Sequence, residues 1–150
     1  MPDDVMFRIR LNAEAEDAQP FATGRIEAPG LREPFRVPLG HWRIEDYLTS
    51  WRAELRRLKE GARHAVLLTM AAPVIDVDFL RGYILYREAE EIAIQESLLF
   101  ADDLGSGFDL AHPSSAAPPH ETETEEGIPV SEWIFPLSGL DPESAVGRYE

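Results

Sequence analysis

The sequence contains no cysteine. This excludes a disulfide scaffold, a thiolate nucleophile and any zinc site with cysteine ligands. The sequence also lacks an apolar run of the roughly 18 residues that a membrane helix needs, because the longest candidate, 65–77, contains Pro73 and Asp76. The first residues are acidic where a secretory signal would be basic. Together these absences predict a soluble, cytoplasmic protein.

Basic side chains are almost absent from the second part of the chain. The 150 residues, a length typical of one domain, carry a net charge of −14. Residues 1–87 contain 13 acidic and 13 basic side chains, whereas residues 88–150 contain 15 acidic side chains and one basic, Arg148. A field of this kind repels phosphates and anionic lipids. We therefore expect no direct nucleic-acid or membrane binding, and a basic protein or a cation as the partner.

Hydrophobic periodicity predicts the element order β-β-β-α-β-β-β-β-α. Residues 5–11 alternate apolar and polar side chains, as a half-buried strand does. The continuous apolar run 65–70 predicts a buried central strand, and the short charged turn 88–90 predicts an antiparallel hairpin between its flanking strands. The predicted strands are 5–11, 21–28, 35–39, 65–70, 79–87, 91–100 and 129–137. Because of Pro34 and Pro38, the segment 35–39 is expected at a sheet edge or in a loop.

The best-defined predicted element is an amphipathic helix at about 44–60. Six large apolar residues fall on one face of it: Ile44, Tyr47, Leu48, Trp51, Leu55 and Leu58. Five charged residues are expected to face away: Arg52, Glu54, Arg56, Arg57 and Lys59. Gly61 is placed to end the helix, and a short last helix is predicted from Asp141 as N-cap and Pro142 as first residue. The pattern predicts a single α+β domain, with a mainly antiparallel sheet packed against one long helix.

Residues 102–127 differ in composition from the rest of the chain. This segment is rich in proline and glycine and holds seven acidic residues with no lysine or arginine. It is predicted to be a long, partly mobile loop, and loops of this length are often functional. It therefore predicts an electronegative surface that docks on a basic partner.

Motifs for catalysis or metal binding are weak. Asp76 and Asp78 could share a divalent ion, but the sequence offers no third ligand nearby. The four histidines, His41, His64, His112 and His120, show no metal-binding spacing. We therefore expect no cofactor, no metal and no enzymatic activity.

Several segments, in order along the chain, follow one family pattern. They are Pro38-Leu39-Gly40-His41-Trp42, then Tyr47, Ser50-Trp51, Leu55 and Leu58, Ala65-Val66-Leu67-Leu68-Thr69, Tyr83-Ile84-Leu85-Tyr86-Arg87, Ile94-Gln95-Glu96-Ser97-Leu98-Leu99-Phe100 and Ile128-Pro129-Val130-Ser131-Glu132-Trp133. Over residues 36–137 the chain resembles the immunity proteins of bacterial contact-dependent growth inhibition, the CdiI type. The resemblance implies a cytoplasmic inhibitor, not an enzyme, that binds a cognate toxin C-terminal domain one-to-one. Many such toxins are nucleases, whose basic surface an acidic inhibitor complements.

The resemblance and the charge distribution divide the prominent residues into two groups. The scaffold core is expected to contain Trp42, Tyr47, Trp51, Leu55, Tyr86 and Trp133. The toxin-binding surface is expected to contain Glu88, Glu90, Glu91, Asp102, Asp103, Phe108, Asp109, Glu121, Glu123, Glu125 and Glu126. Two alternatives stay open: an acidic adaptor or chaperone for a basic secreted effector, and a small metal-dependent enzyme built around Asp76 and Asp78.

Overall fold

The protein contains two four-stranded sheets and one long helix. A computed structural model describes residues 5–105 and 107–150. In chain order the elements are β1 (Arg8–Asn12), β2 (Phe21–Ala28), β3 (Leu31–Pro38), α1 (Ile44–Lys59), β4 (His64–Met70), β5 (Phe79–Glu88), β6 (Glu91–Phe100), β7 (Trp133–Pro136), α2 (Pro142–Ala145) and β8 (Val146–Tyr149). The first sheet has the order β3-β2-β1-β8 and the second the order β4-β5-β6-β7.

The main hydrophobic core lies between α1 and the facing sides of both sheets. The first sheet contributes the apolar side of its alternating strands, including Phe7, and the second contributes residues such as Phe135. These two rings stack with their centroids 5.5 Å apart, which joins the two sheets directly. Trp51 of α1 packs edge-on against Phe35 of β3. Each sheet buries one face here because neither could bury enough apolar surface alone.

The second sheet is apolar on its other face as well. Val66, Leu68, Ile84 and Tyr86 belong to a second buried cluster on that side. A cover segment, residues 107–118, lies over this cluster and contributes half-buried side chains that include Phe108. This explains the continuous apolar runs in β4 and in the middle of β5, since a strand segment covered on both faces has no polar side.

Helix α1 makes hydrogen bonds to the backbone of β4, which is an edge strand. The Trp51 indole N–H donates to the Leu68 carbonyl oxygen at 2.8 Å, and a Glu54 carboxylate oxygen accepts from the Val66 N–H at 3.0 Å. The Tyr47 hydroxyl accepts from the Ala71 N–H at 3.2 Å and donates to a β3 carbonyl, that of Pro38, at 2.7 Å. The helix thus satisfies backbone groups that no strand pairs, which a buried edge requires.

The α+β class, the single long helix and the β5–β6 hairpin are confirmed. Helix α1 begins at Ile44, and Gly61 follows it with φ +125°, a conformation that glycine adopts readily. Tyr47, Trp51, Leu55 and Tyr86 are buried as predicted. The two remaining scaffold residues, Trp42 and Trp133, are half-buried against the core.

Five details of the sequence prediction were wrong. The strands divide into two sheets, and β8, paired parallel to β1, was missed because it is only four residues long. β4 is buried but lies at an edge, since α1 replaces a neighbouring strand. The strand expected at 129–137 is limited to β7. Glu54 does not face away from the core, because its carboxylate accepts a β4 hydrogen bond.

No helix among residues 5–105 and 107–150 combines the length and the apolar character that crossing a membrane requires.

Glu54 is a buried carboxylate, and its ionisation should make the free energy of unfolding depend on pH. Its side chain is 1% exposed, and Arg57, which lies 3.3 Å away, is half-exposed. Burial raises the pKa of Glu54 above its ordinary value, against the opposing effects of the Val66 N–H and of Arg57 and His112. The folded state therefore holds the proton more tightly than the unfolded state does.

We predict that Glu54→Gln removes a pH-dependent part of the free energy of unfolding. In the wild type this contribution is fully present below the unfolded carboxyl pKa of about 4.3, and it is lost as the pH rises through the raised folded pKa. The free energy of unfolding of the wild type minus that of Glu54→Gln should therefore fall as the pH rises from about 4 to about 7. Urea unfolding at several pH values measures this difference.

The matched control is Glu45→Gln on the same helix, because the Glu45 side chain is 74% exposed. Its difference from the wild type should show no comparable trend with pH. A flat pH profile for Glu54→Gln would contradict the prediction.

Candidate functional site

His120 joins two acidic segments of the chain. Its Nδ1 lies 3.0 Å from a Glu88 carboxylate oxygen at the end of β5. Its Nε2 lies 2.6 Å from a Glu132 carboxylate oxygen just before β7. The imidazole ring also stacks on Tyr86, with ring centroids 4.5 Å apart and planes 10° apart. One side chain thereby fixes the segment before Glu121 to the β5–β6 hairpin.

Strand geometry explains why these groups meet. Tyr86 and Glu88 are two residues apart on β5, so their side chains lie on the same face of the sheet. On the neighbouring β6, the Gln95 amide donates to the Glu132 carboxylate at 2.9 Å and to the Glu121 carbonyl at 2.8 Å. Gln95 and Glu132 thus connect two strands to the segment that carries His120.

The four glutamates of segment 121–126 sit on a small hairpin. The Val130 N–H donates to the Thr122 carbonyl at 2.9 Å, and the Thr124 N–H donates to the Ile128 carbonyl at 2.8 Å. Gly127, with φ +81°, completes the turn. We call residues 121–130 the acidic hairpin. Its exposed acidic side chains are Glu121, Glu123, Glu125 and Glu126.

The carboxylates around His120 favour its protonated form. Burial lowers the pKa of His120, but the hydrogen bonds and charges of Glu88 and Glu132 outweigh burial, so the pKa lies above its ordinary value. Burial also raises the pKa of Tyr86 to about 12, with the charges of Glu121 and Glu132 adding to it. When protonated, His120 donates from both ring nitrogens, which leaves it no lone pair to act as a base.

The other predicted surface residues are distributed over the two ends of β6. Glu90 and Glu91 are exposed at the β5–β6 turn beside Glu88. Asp102 and Asp103 are exposed in the turn after Phe100, at the far end of a strand of ten residues. Ten residues span about 30 Å, and the Debye length in cells is about 8 Å. The two groups of acids therefore act as separate electrostatic surfaces.

Phe108 and Asp109 belong to the cover segment. Phe108 is half-buried and packs against the second apolar cluster. An Asp109 carboxylate oxygen accepts from the Ala111 N–H at 3.0 Å, while the carbonyl of Ser114 lies 2.8 Å from Nε2 of His64. The loop predicted at 102–127 therefore contains a packed cover segment followed by most of the acidic hairpin.

An open cleft of about 500 Å³ lies beside His120. Its walls include Arg63, His64, Tyr86, Pro118 and His120. The Tyr86 hydroxyl closes one side by donating to the Pro118 carbonyl at 2.9 Å. The cleft thus presents two histidines, two arginines and the Glu88 carboxylate next to the acidic hairpin.

Asp76 and Asp78 are not joined by a third metal ligand. Asp76 ends a short turn, 74–76, and Asp78 precedes β5. Within 5–105 and 107–150, no group of three or more histidine, aspartate or glutamate side chains is arranged to hold a metal ion.

The sequence analysis missed the role of three residues in this site. His120 was set aside because metal spacing was the only pattern considered for it, whereas its partners are carboxylates from distant segments. Gln95 and Glu132 were recognised only as parts of family motifs. The sequence did contain one indication of this site. Tyr86 and Glu88 are two residues apart on a predicted strand, which places an aromatic ring and a carboxylate side by side on one face of the sheet.

Comparison with known proteins assigns the chain to a family. Residues 37–141 match the CdiI N-terminal domain. The chain belongs to this family. The match spans α1, both apolar faces of the second sheet and the whole acidic hairpin. The site around His120 therefore lies inside the family domain.

Two relatives are similar over most of their length. The immunity protein CdiI of Enterobacter cloacae subsp. cloacae is 25% identical over 130 residues, 87% of this chain and 87% of the relative. The solved CdiA-CT/CdiI toxin and immunity complex from Enterobacter cloacae contains a chain with the same fold. It matches with a TM-score of 0.77 at 24% identity, and the match covers 88% of this chain and 91% of that chain.

We predict that His120→Ala loosens the acidic hairpin of this CdiI-family protein in a pH-dependent way. The folded pKa of His120 is raised, so its stabilisation is fully present below the unfolded pKa of about 6.5 and is lost as the pH rises through the folded pKa. Amide hydrogen exchange at Thr124 and Val130 should be faster in His120→Ala, after correction for intrinsic rates, with the largest difference at mildly acidic pH.

His41→Ala provides the control, because His41 is exposed before α1. The His41→Ala variant should leave amide hydrogen exchange in the acidic hairpin unchanged. Equal exchange in the wild type and His120→Ala at every pH would refute the proposed link.

Proposed function

We propose that this CdiI-family protein is a cytoplasmic, non-enzymatic inhibitor that binds a cognate CdiA-CT toxin domain one-to-one and neutralises it. The observation that carries the proposal is that the acidic hairpin lies inside the family domain and is attached there, through His120, to the end of β5. The related Enterobacter cloacae structure is a toxin and immunity complex, which supports a toxin as the partner.

The toxin is expected to be basic. The four glutamates of the acidic hairpin and the three of the β5–β6 turn are all exposed, and His120 connects their two segments. A nuclease needs a basic surface to hold the phosphate backbone of its substrate. An acidic surface that competes for the same basic residues would associate quickly and exclude that substrate.

Anchoring makes the hairpin effective as a binding element. A free acidic loop would lose conformational entropy on binding, at a cost in affinity. The hydrogen bonds within the hairpin and those of Gln95 to Glu121 and Glu132 supply much of that order beforehand. We therefore assign the fast, salt-sensitive step of toxin binding to this surface.

Calorimetric titration against the toxin domain encoded beside this gene, with a toxin-activity assay, tests the proposal. We expect tight one-to-one binding that weakens with salt and abolishes toxin activity. Tight binding with toxin activity intact would instead support the adaptor alternative. Absence of binding at both low and high salt would overturn the proposed function.

We predict that changing Glu121, Glu123, Glu125 and Glu126 together to glutamine slows association with the toxin. Loss of four exposed charges removes long-range attraction, so the association rate constant should fall about tenfold or more at low salt and depend less on salt. Stopped-flow measurements at two salt concentrations report both quantities.

The control is Asp102→Asn with Asp103→Asn, which removes charge at the end of β6 farthest from the β5–β6 turn. It should change the association rate much less. If the two variants slow association equally per charge removed, net charge and not the acidic hairpin attracts the toxin.

A further inference from the structure

The outer face of the first sheet is basic, although the chain as a whole is acidic. Strand alternation places five arginines on the side of β1, β2 and β3 that faces away from the core: Arg8, Arg10, Arg25, Arg32 and Arg36. On this outer face, Glu27 is the one acidic side chain at the paired positions of the three strands, and it lies 3.7 Å from Arg32. We call this surface the arginine face.

Two arginines of this face are direct cross-strand neighbours. Arg10 of β1 is paired with Arg25 of β2, and both are half-exposed. Like charges at directly opposite positions destabilise a sheet. A function in binding anions would account for two arginines at positions where stability alone favours an opposite charge.

Aromatic rings accompany these arginines. The Arg36 guanidinium lies over the ring of Phe21, 4.5 Å from its centroid, and that of Arg25 lies over Tyr149 at 4.3 Å. Phe21 is 45% exposed although it is a large apolar side chain. In both pairs the guanidinium covers one face of the ring, and unpaired bases stack on guanidinium planes as well as on aromatic rings.

A polar cleft adjoins this platform. Its volume is about 440 Å³, and its lining includes Asn12, Gln19, Phe21, Thr23 and Arg36. The amides and the hydroxyl offer hydrogen-bond donors and acceptors to a base edge, while Phe21 offers a stacking surface. Glu14 also lines this cleft, so an approaching phosphate would be directed toward Arg36.

We propose that the arginine face binds single-stranded nucleic acid, with phosphates on the arginines and a base stacked on Phe21. An acidic protein segment would use the same positive charges but would have no need of the exposed ring. The net charge of −14 led to the expectation that the protein does not bind nucleic acid. Charges act over only about 8 Å in physiological salt, so the local charge of this face decides its binding. The acidic residues of 88–126 lie on the second sheet and its covering loop.

The test is fluorescence anisotropy with a labelled mixed-sequence oligonucleotide of about 12 nucleotides, as RNA and as DNA, within the site sizes known for single-strand binders. Glu27 lies against Arg32 and is the cross-strand neighbour of Arg8, so about three phosphates should be neutralised, by Arg10, Arg25 and Arg36. Affinity should then fall about 20-fold between 50 and 200 mM salt. A polyglutamate peptide of equal charge provides the comparison and should bind more weakly.

Arg10→Glu is the decisive variant. It should lower oligonucleotide affinity about tenfold or more at low salt, while thermal unfolding is unchanged or shifts upward because Arg25 gains an opposite charge across the strands. Arg43→Glu makes the same charge change at an exposed position before α1, and it should affect affinity little. Phe21→Ala should weaken binding about fivefold or more through the loss of stacking.

Three outcomes would overturn the proposal. The first is no oligonucleotide binding at 50 mM salt. The second is equal weakening by Arg10→Glu and Arg43→Glu. The third is tighter binding of polyglutamate than of the oligonucleotide with Phe21→Ala unaffected, which would make the face a site for acidic protein segments. Each of these outcomes is independent of whether the acidic hairpin binds a toxin.

Discussion

The fold depends on how α1 covers the open edge of β4. Trp51 and Glu54 make hydrogen bonds to backbone groups of that strand, and Tyr47 does so just beyond its end. The Tyr47 hydroxyl also donates to the last residue of β3. This phenol therefore links both sheets to the helix within one hydrogen-bonded group. Burial raises the pKa of Tyr47 to about 12, so it keeps its proton and can donate at physiological pH.

With its edge and one face covered by α1, the second sheet has its other face free for the cover segment. The chain leaves β6, crosses that face and returns through His120 to the acidic hairpin. In the part of the chain that the structure describes, no comparable segment packs over the first sheet, and its outer face carries the arginines. The acidic and basic surfaces therefore lie on different sheets, because the covering segment that leads to the acidic hairpin packs on the second sheet only.

The elements predicted well from the sequence are those with strong local periodicity. The apolar stripe of α1 and the short turn between β5 and β6 needed no information from distant residues. The parallel partner of β1, the separation into two sheets and the buried state of Glu54 all depend on contacts between segments far apart in the chain. In the site, the exposed glutamates were foreseen from composition, whereas the pairing of His120 with Glu88 and Glu132 required the folded topology.

The side chains of Glu123, Glu125 and Glu126 project from the hairpin without a described hydrogen bond or ion pair, while the backbone around them is held by main-chain bonds and Gly127. Substitutions at the hairpin tip therefore alter what the surface presents to a partner and leave the buried scaffold untouched. Under the proposed function, recognition and folding are therefore separable under selection. A lineage could then change the partner it recognises by substitutions at a few tip positions, with little loss of stability at each step.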